Sequence, residues 1–206
     1  MSGRLLRLHL WSRGGTTFLV GVVVVAVLGW LAATWITSRP YFSGPAARIP
    51  VVALAPLLGA MLLGPTLGGA DEELERGTPL PWPRWRLGHV LFGTTLLGGT
   101  LALTGLRAPE IFGAYALLRN TLGCVGLIAG TAVLLGARLA WVAAFGYVCA
   151  VYAAAPRQIG GAAGVWAWPT QPSTVEASWL VAVGLFLLGT TAYLCRGARA
   201  TSGPAR

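Results

Sequence analysis

No charged side chain lies between Arg13 and Arg39, where residues 14–38 read GGTTFLVGVVVVAVLGWLAATWITS. A helix of about 20 mostly apolar residues, rising about 1.5 Å per residue, crosses the hydrocarbon layer of a bilayer, which is about 30 Å thick. This stretch is long enough to cross. It predicts a membrane-spanning helix at about residues 16–36 and indicates an integral membrane protein.

The composition of the whole chain agrees with that interpretation. Apolar residues make up 55% of the 206 positions and charged residues only 10%, whereas soluble domains carry about 25% charged residues. So few charges cannot form a water-exposed shell, and so much apolar surface excludes a disordered chain. Three cysteines are too few for a disulfide scaffold.

Other charge-free intervals predict five more crossings. The six predicted spans are at about residues 16–36, 49–70, 87–106, 118–137, 139–155 and 177–195. A further interval, 158–175, is interrupted by glycine and proline and is predicted to be a loop. We therefore expect an all-α integral membrane fold of six transmembrane helices, forming a single transmembrane domain over residues 1–206 with no separate soluble catalytic domain.

Two of the predicted spans carry residues that affect helix geometry. Pro50, Pro56 and Pro65 predict that the second span is kinked or broken, with neighbouring helices satisfying the freed carbonyls. Gly126 and Gly130 form a GxxxG pair in the fourth span, which predicts close helix–helix packing.

The arginines predict the orientation of the spans, since excess arginine and lysine in short loops marks the cytoplasmic side. All 15 basic residues are arginine. With a cytoplasmic N-terminus, ten fall on the cytoplasmic side: Arg4, Arg7, Arg13, Arg76, Arg84, Arg86, Arg138, Arg196, Arg199 and Arg206. Four fall outside, namely Arg39, Arg48, Arg107 and Arg157, and Arg119 is left uncounted inside the fourth span. We expect a multi-pass protein of the cell (plasma) membrane with both termini cytoplasmic. Its net charge of +9 reflects this topology and anionic lipid, not binding to nucleic acid.

The segment before the first span has two interpretations. Residues 2–13, SGRLLRLHLWSR, place Arg4 and Arg7 beside Leu5, Leu8 and Trp11 at helical spacing. This pattern is typical of a short helix lying at the inner membrane interface. An ordinary basic flank that only orients the first span fits equally well.

The most unusual segment is residues 71–86, DEELERGTPLPWPRWR, which holds four of the six acidic residues. They are Asp71, Glu72, Glu73 and Glu75. Asp71 can cap a short helix, Gly77 suits its left-handed end, and the following prolines prevent continuation. We expect a two-turn acidic helix in the cytoplasm, followed by a stiff proline-rich return to the membrane. A solvated loop whose acids balance nearby arginines is the alternative.

Two polar features are predicted at the outer side. The loop 156–176 carries Trp166 and Trp168, which indicates an anchoring belt or a partly inserted loop. Arg119 and Asn120 form the only strongly polar pair within the apolar stretch 111–136. They are either an intramembrane polar pair or part of a substrate path. Arg119 lies either at the outer boundary after a separate piece, 109–118, which we favour, or buried in a continuous helix near Glu110 or Glu176.

Several kinds of chemistry are missing from the sequence. Without lysine there is no GxxxxGK[ST] phosphate loop and no Schiff-base lysine. The two histidines, His9 and His89, form no metal-binding motif, and the single aspartate excludes an intramembrane aspartate pair. The acids lie in loops or at span edges, so the chain also lacks the intramembrane carboxylates of an ion-coupled transporter. We expect no catalytic residues, no metal site and no cofactor.

The acidic segment resembles the cytoplasmic loop of the type-2 ATP-binding-cassette (ABC) exporter permease family. The resemblance lies in Glu73-Leu74-Glu75-Arg76-Gly77-Thr78, followed by Pro83, Arg84 and Arg86 and then Gly88 at the next span. It implies that this loop contacts a separate ATPase subunit. Glu73, Glu75, Gly77 and Thr78 would form the contact, and Pro83 would mark the return to the membrane.

The predicted function is therefore the membrane subunit of an ABC-type exporter, not an enzyme. Its partners would be a separate ATPase and a second permease, identical or paralogous, in the lipid bilayer. The cargo would be amphipathic or hydrophobic, because the spans offer few polar groups. The alternative is a non-transporting membrane adaptor or immunity-type protein whose acidic loop binds a cytosolic partner.

Overall fold

The computed structural model describes residues 14–41, 44–68, 81–108, 110–156 and 158–199. Within these ranges the secondary structure is entirely helical. The α-helices are α1 Gly15–Thr37, α2 Ile49–Leu63, α3 Trp82–Gly105, α4 Ala114–Leu135, α5 Trp141–Ala154, α6 Gly161–Trp166 and α7 Glu176–Arg196. Short 3-10 turns occupy Pro45–Arg48, Gly64–Leu67, Glu110–Phe112, Ala137–Leu139 and Trp168–Thr170.

Within the described ranges, six helical segments are long and apolar enough to cross a membrane. They are Gly15–Thr37, Pro45–Leu67, Trp82–Gly105, Ala114–Leu135, Ala137–Ala154 and Glu176–Arg196. The prediction of six spans is confirmed, and the chain is a multi-pass helical membrane protein. The predicted interfacial helix at residues 2–13 lies outside the described residues.

Two spans differ in their bounds from the prediction. α3 begins at Trp82 instead of residue 87, with Pro83 in its first turn, where a missing N–H costs no helical hydrogen bond. The predicted proline-rich return therefore already belongs to α3 from Trp82 onward. In the second span, α2 runs unbroken through Pro56 to Leu63, and Pro65 lies in the 3-10 turn that follows.

Glycines end two of the spanning helices. Gly136 follows α4 with a φ of 86°, and Gly197 follows α7 with a φ of 74°. A residue with a Cβ rarely adopts this left-handed backbone, so glycine suits both positions. The N–H of Gly197 still donates to the carbonyl of Tyr193, at 2.8 Å.

α4 lies at the centre of the bundle and α1 at its edge. Thirteen of the 22 residues of α4 are buried, compared with five of the 23 residues of α1. α1 instead exposes large apolar side chains such as Trp30 and Leu28, which suits a helix in contact with lipid. The central helix is therefore the one that can position buried polar groups.

The bundle has two ends, named here by a residue near each. The Arg119 end holds residues 38–41, 44–48, 106–108, 110–113, 155–156 and 158–175, and Ser173 N–H donates there to the Ile111 carbonyl at 2.8 Å. The Tyr193 end holds residue 68 and the ranges 136–140 and 197–199, and Arg199 N–H donates there to the Ala132 carbonyl at 2.9 Å.

α4 and α7 touch backbone to backbone through glycine. A Cβ added to Gly126 would overlap the Leu185 carbonyl, and one added to Gly189 would overlap the Gly126 carbonyl. A Cβ on Gly130 would lie 3.6 Å from Gly189 Cα, in ordinary contact. The predicted close packing at Gly126 and Gly130 is confirmed, and Gly189 completes it from the opposite helix.

Gly189→Ala should destabilise the bundle, because the backbone it would strike cannot move aside as a side chain can. Overpacking of this kind costs about 1–3 kcal/mol. Gly184→Ala in the same helix is the matched control, since its Cβ meets nothing within 4 Å. The thermal unfolding midpoint (Tm) in detergent should fall for the first variant and stay equal or rise for the second. Equal Tm values for the two variants would contradict the close crossing.

Candidate functional site

Arg119 and Asn120 lie side by side in the second turn of α4, and both side chains are fully buried. The favoured interpretation places a separate segment at 109–118 with Arg119 at the outer membrane boundary, and it is only partly correct. The turn Glu110–Phe112 is separate, but helix α4 already begins at Ala114 and carries Arg119 into the protein interior.

The Arg119 guanidinium donates to three acceptors within the protein. Nη1 donates to the Pro172 carbonyl at 2.9 Å, Nη2 to the Gln171 carbonyl at 2.8 Å, and Nε to Asn120 Oδ1 at 3.0 Å. The acceptors are two carbonyls and an amide, and none is a carboxylate. Of the two acids considered as partners, Glu110 and Glu176, the second is exposed. The planar fork of arginine suits this arrangement, since it holds two adjacent carbonyls at once.

Asn120 carries the hydrogen bonding into α2. Its Nδ2 donates to the Val52 carbonyl at 2.8 Å and to the Pro169 carbonyl at 2.7 Å. Val52 lies four residues before Pro56, and proline has no N–H to close the helical hydrogen bond to that carbonyl. Asn120 therefore satisfies the acceptor that Pro56 leaves open, as predicted for a neighbouring helix.

The segment bound by Arg119 and Asn120, residues 158–175, is called here the inserted segment. Gln171 links the later part of this segment to its beginning. Its Oε1 accepts from Gly160 N–H at 2.9 Å, and its Nε2 donates to the Gln158 carbonyl at 3.1 Å. Ser178 Oγ at the start of α7 donates to the Gly164 carbonyl at 2.8 Å. The predicted loop is thus a compact folded element that contains α6.

The two tryptophans of the inserted segment have different surroundings. Trp168 is fully buried, packs against Gly123 of α4 and stacks on Tyr147 of α5 at a ring distance of 6.3 Å. Trp166 is 41% exposed. Trp168 is therefore the part of the loop that is inserted among the helices, whereas the exposed Trp166 suits a position at the membrane–water boundary.

A second polar cluster lies at the Tyr193 end. Tyr193 Oη donates to the Leu67 carbonyl at 2.7 Å, and Thr66 Oγ1 lies 2.9 Å from His89 Nε2. The Arg86 guanidinium lies over the Tyr193 ring at 5.9 Å, and its Nη1 is 3.5 Å from the Leu194 carbonyl. The end of the second span and the beginning of α3 are therefore both held against the end of α7.

The predicted site residues fall into two separate groups. Asp71, Glu72, Glu73, Glu75, Gly77 and Thr78 lie outside the described residues. Pro83 and Arg86 lie in the first two turns of α3 at the Tyr193 end, whereas Arg119 and Asn120 lie at the opposite end. The structure does not bring Pro83 and Arg86, the described members of the first group, together with Arg119 and Asn120.

Sequence reasoning missed Gln171 and Tyr193 as organising residues. One signal was available for the inserted segment: Gln171 is a polar residue between prolines in a stretch otherwise bounded by apolar spans. Tyr193 gave no comparable signal, because a tyrosine in the last turn of a span is typical of an interfacial anchor.

Comparison with protein-family models, with curated proteins and with solved structures finds no match to this chain. Function is therefore inferred from the two polar clusters and from the composition of residues 71–78.

The hydrogen bond from Asn120 to Val52 should depend on Pro56. Asn120→Ala should cost stability in the natural chain, because the Val52 carbonyl is left unsatisfied. In a Pro56→Ala background that carbonyl regains a helical partner, so the cost of Asn120→Ala should be smaller. A double-mutant cycle of Tm or of unfolding free energy should give a coupling of about 1 kcal/mol. Strictly additive effects would contradict this account of the proline.

Arg119→Lys should loosen the inserted segment although the charge is kept. One ammonium cannot reproduce the fork that holds the two carbonyls, and each buried acceptor left unpaired costs about 1–3 kcal/mol. Hydrogen exchange should accelerate at residues 158–175, with a lower Tm. Arg138→Lys is the control, since Arg138 is exposed in the turn Ala137–Leu139. Unchanged exchange in the Arg119 variant would show that the fork does not hold the segment.

Proposed function

We propose that this chain is the membrane-spanning permease subunit of an ATP-driven exporter, coupled through residues 71–78 to a separate ABC-type ATPase. The six membrane-spanning helices support a membrane subunit. The concentration of four acids in one short segment supports a specific contact with a partner, since the rest of the chain is nearly free of acidic residues. Glu73, Glu75, Gly77 and Thr78 would make that contact.

The observation that carries the proposal is the bracing on both sides of the acidic segment. Before it, Tyr193 holds the Leu67 carbonyl; after it, Arg86 contacts the end of α7. Only residues 68–85 separate Leu67 from Arg86. A force applied to this short segment would act on α2, α3 and α7 together, because the residues on both sides of the segment are held by contacts with α7.

The arginine distribution supports placing the Tyr193 end in the cytoplasm, with both termini on that side and the chain in the plasma membrane. An ATPase would then reach the acidic segment from the cytosol. The Arg119 end, with the inserted segment, would face outward.

The packing of the bundle supports a transport path formed with a second copy or a paralogue. Large apolar side chains such as Leu57, Leu97 and Ile128 fill the interior of the described bundle, at 0–1% exposure. A path between two permeases would be lined by the outer helix faces instead. Those faces are rich in exposed leucine and valine, which suits an amphipathic or hydrophobic cargo.

The contacts of Arg119 and Asn120 favour the polar-pair interpretation over a substrate path. The guanidinium already donates through all three of its nitrogens to groups within the protein. A substrate could reach it only after the inserted segment had moved away.

The double variant Glu73→Ala/Glu75→Ala should uncouple the ATPase. The affinity-tagged full chain would be purified from its own membranes together with its bound ATPase, and the ATP hydrolysis rate measured after reconstitution. We expect the double variant to retain less than half of the bound ATPase, because its contact surface loses two charges. Glu176→Ala, which removes one exposed acid at the opposite end, should leave binding and hydrolysis unchanged.

Two outcomes would contradict the proposal. Complex formation that is normal in the double variant would remove the coupling role of the acidic segment. A partner that binds through this segment but hydrolyses no ATP would favour the non-transporting adaptor instead.

A further inference from the structure

Arg48 is a buried arginine whose Nε nitrogen has no hydrogen-bond partner among the described residues. It ends the 3-10 turn Pro45–Arg48 and precedes the first residue of α2. Only 9% of its surface is exposed. Arg119 is also a buried arginine, but it is held by two carbonyls and an amide. Withdrawing a guanidinium from water without such partners is costly.

The surroundings of Arg48 add positive potential. The 15-residue helix α2 begins at Ile49, with no side-chain cap and no acidic residue in its first turn. The positive end of the helix dipole therefore lies beside the guanidinium. An anion at this position would be attracted by both.

The position of Arg48 along its span indicates which anion is available. Arg48 is the fourth residue of the candidate span Pro45–Leu67, so it lies at the edge of the apolar segment. At that depth the commonest anionic group is the phosphate of a lipid headgroup. Pro45 and Ala46, in the same 3-10 turn as Arg48, are exposed.

We propose that Arg48 binds the phosphate group of a phospholipid at the Arg119 end of the bundle. The guanidinium fork would donate two parallel hydrogen bonds to the phosphate oxygens, and the α2 dipole would add to the attraction. This site is independent of the proposed export function, because it requires neither the acidic segment nor an ATPase.

The proposal predicts that Arg48→Gln has opposite effects with and without phospholipid. In lipid-free detergent the variant should be as stable as the natural chain or more stable, because an unpaired buried charge is removed. With added short-chain phosphatidylglycerol, the natural chain should gain Tm and the variant should gain much less. The apparent affinity for the lipid should fall at least about tenfold, because losing even one of the two charge-assisted hydrogen bonds has an effect of that size.

Matched variants separate the site from general charge effects. Arg107→Gln removes an exposed arginine at the same end and should keep the full response to phosphatidylglycerol. Arg48→Lys keeps the charge without the fork and should respond at an intermediate level. If Arg48→Gln does not fold, Arg48→Lys and Arg107→Gln still test the proposal through their difference in lipid affinity.

Different additives identify the source of the phosphate. Phosphatidylglycerol and phosphatidylcholine should both stabilise the natural chain, whereas a short-chain diacylglycerol, which lacks the phosphate, should not. An equal response to inorganic phosphate alone would assign the site to a free anion and overturn the lipid proposal. A lipid response that is the same in Arg48→Gln and the natural chain would overturn the site itself.

Discussion

The structure depends on the hydrogen bond that Asn120 donates to the Val52 carbonyl. Pro56 deprives this carbonyl of its helical partner, and inside a membrane no water can replace that partner. Asn120 supplies the missing donor from α4 and binds the Pro169 carbonyl with its other amide proton. Arg119 extends the same network to Gln171 and Pro172. One polar pair thus joins α2, α4 and the inserted segment, and it does so with backbone acceptors instead of opposite charges.

The two ends of the molecule are connected through the α4–α7 pair. Gly126 and Gly189 let these helices approach until their backbones touch, so the pair is well suited to act as a rigid unit. At one end α4 carries the polar pair that holds the inserted segment. At the other end α7 carries Tyr193, which holds the end of the second span beside the acidic segment. In the proposed exporter, a push from the ATPase would reach this unit before it reached the lipid-exposed α1.

Span positions could be predicted closely because apolar length is a local property. The first span was placed at 16–36 and runs over Gly15–Thr37; the sixth was placed at 177–195 and runs over Glu176–Arg196. The sequence predicts the start of α3 five residues too late, because a charge-free interval can begin only after Arg86. A long arginine side chain can instead lie along a helix and reach a polar region or a partner, as Arg86 does at the end of α7. The inserted segment was recognised as a break between spans, but its fold depends on Arg119, some 50 positions earlier.

The sequence alone determined that the chain has six segments long and apolar enough to cross a membrane and that its acidic residues are concentrated in one other segment. Both features follow from the local composition of the sequence. Burial in lipid requires an apolar stretch of about 20 residues in any chain, so a spanning helix can be recognised without knowing its neighbours. Only the tertiary structure decided what the polar residues within the spans do. Arg119 could have faced lipid headgroups, a substrate or the protein interior, and Pro56 could have had its carbonyl satisfied by any neighbour. Those outcomes depend on which groups meet across helices, because a buried donor is stable only where packing brings an acceptor to it.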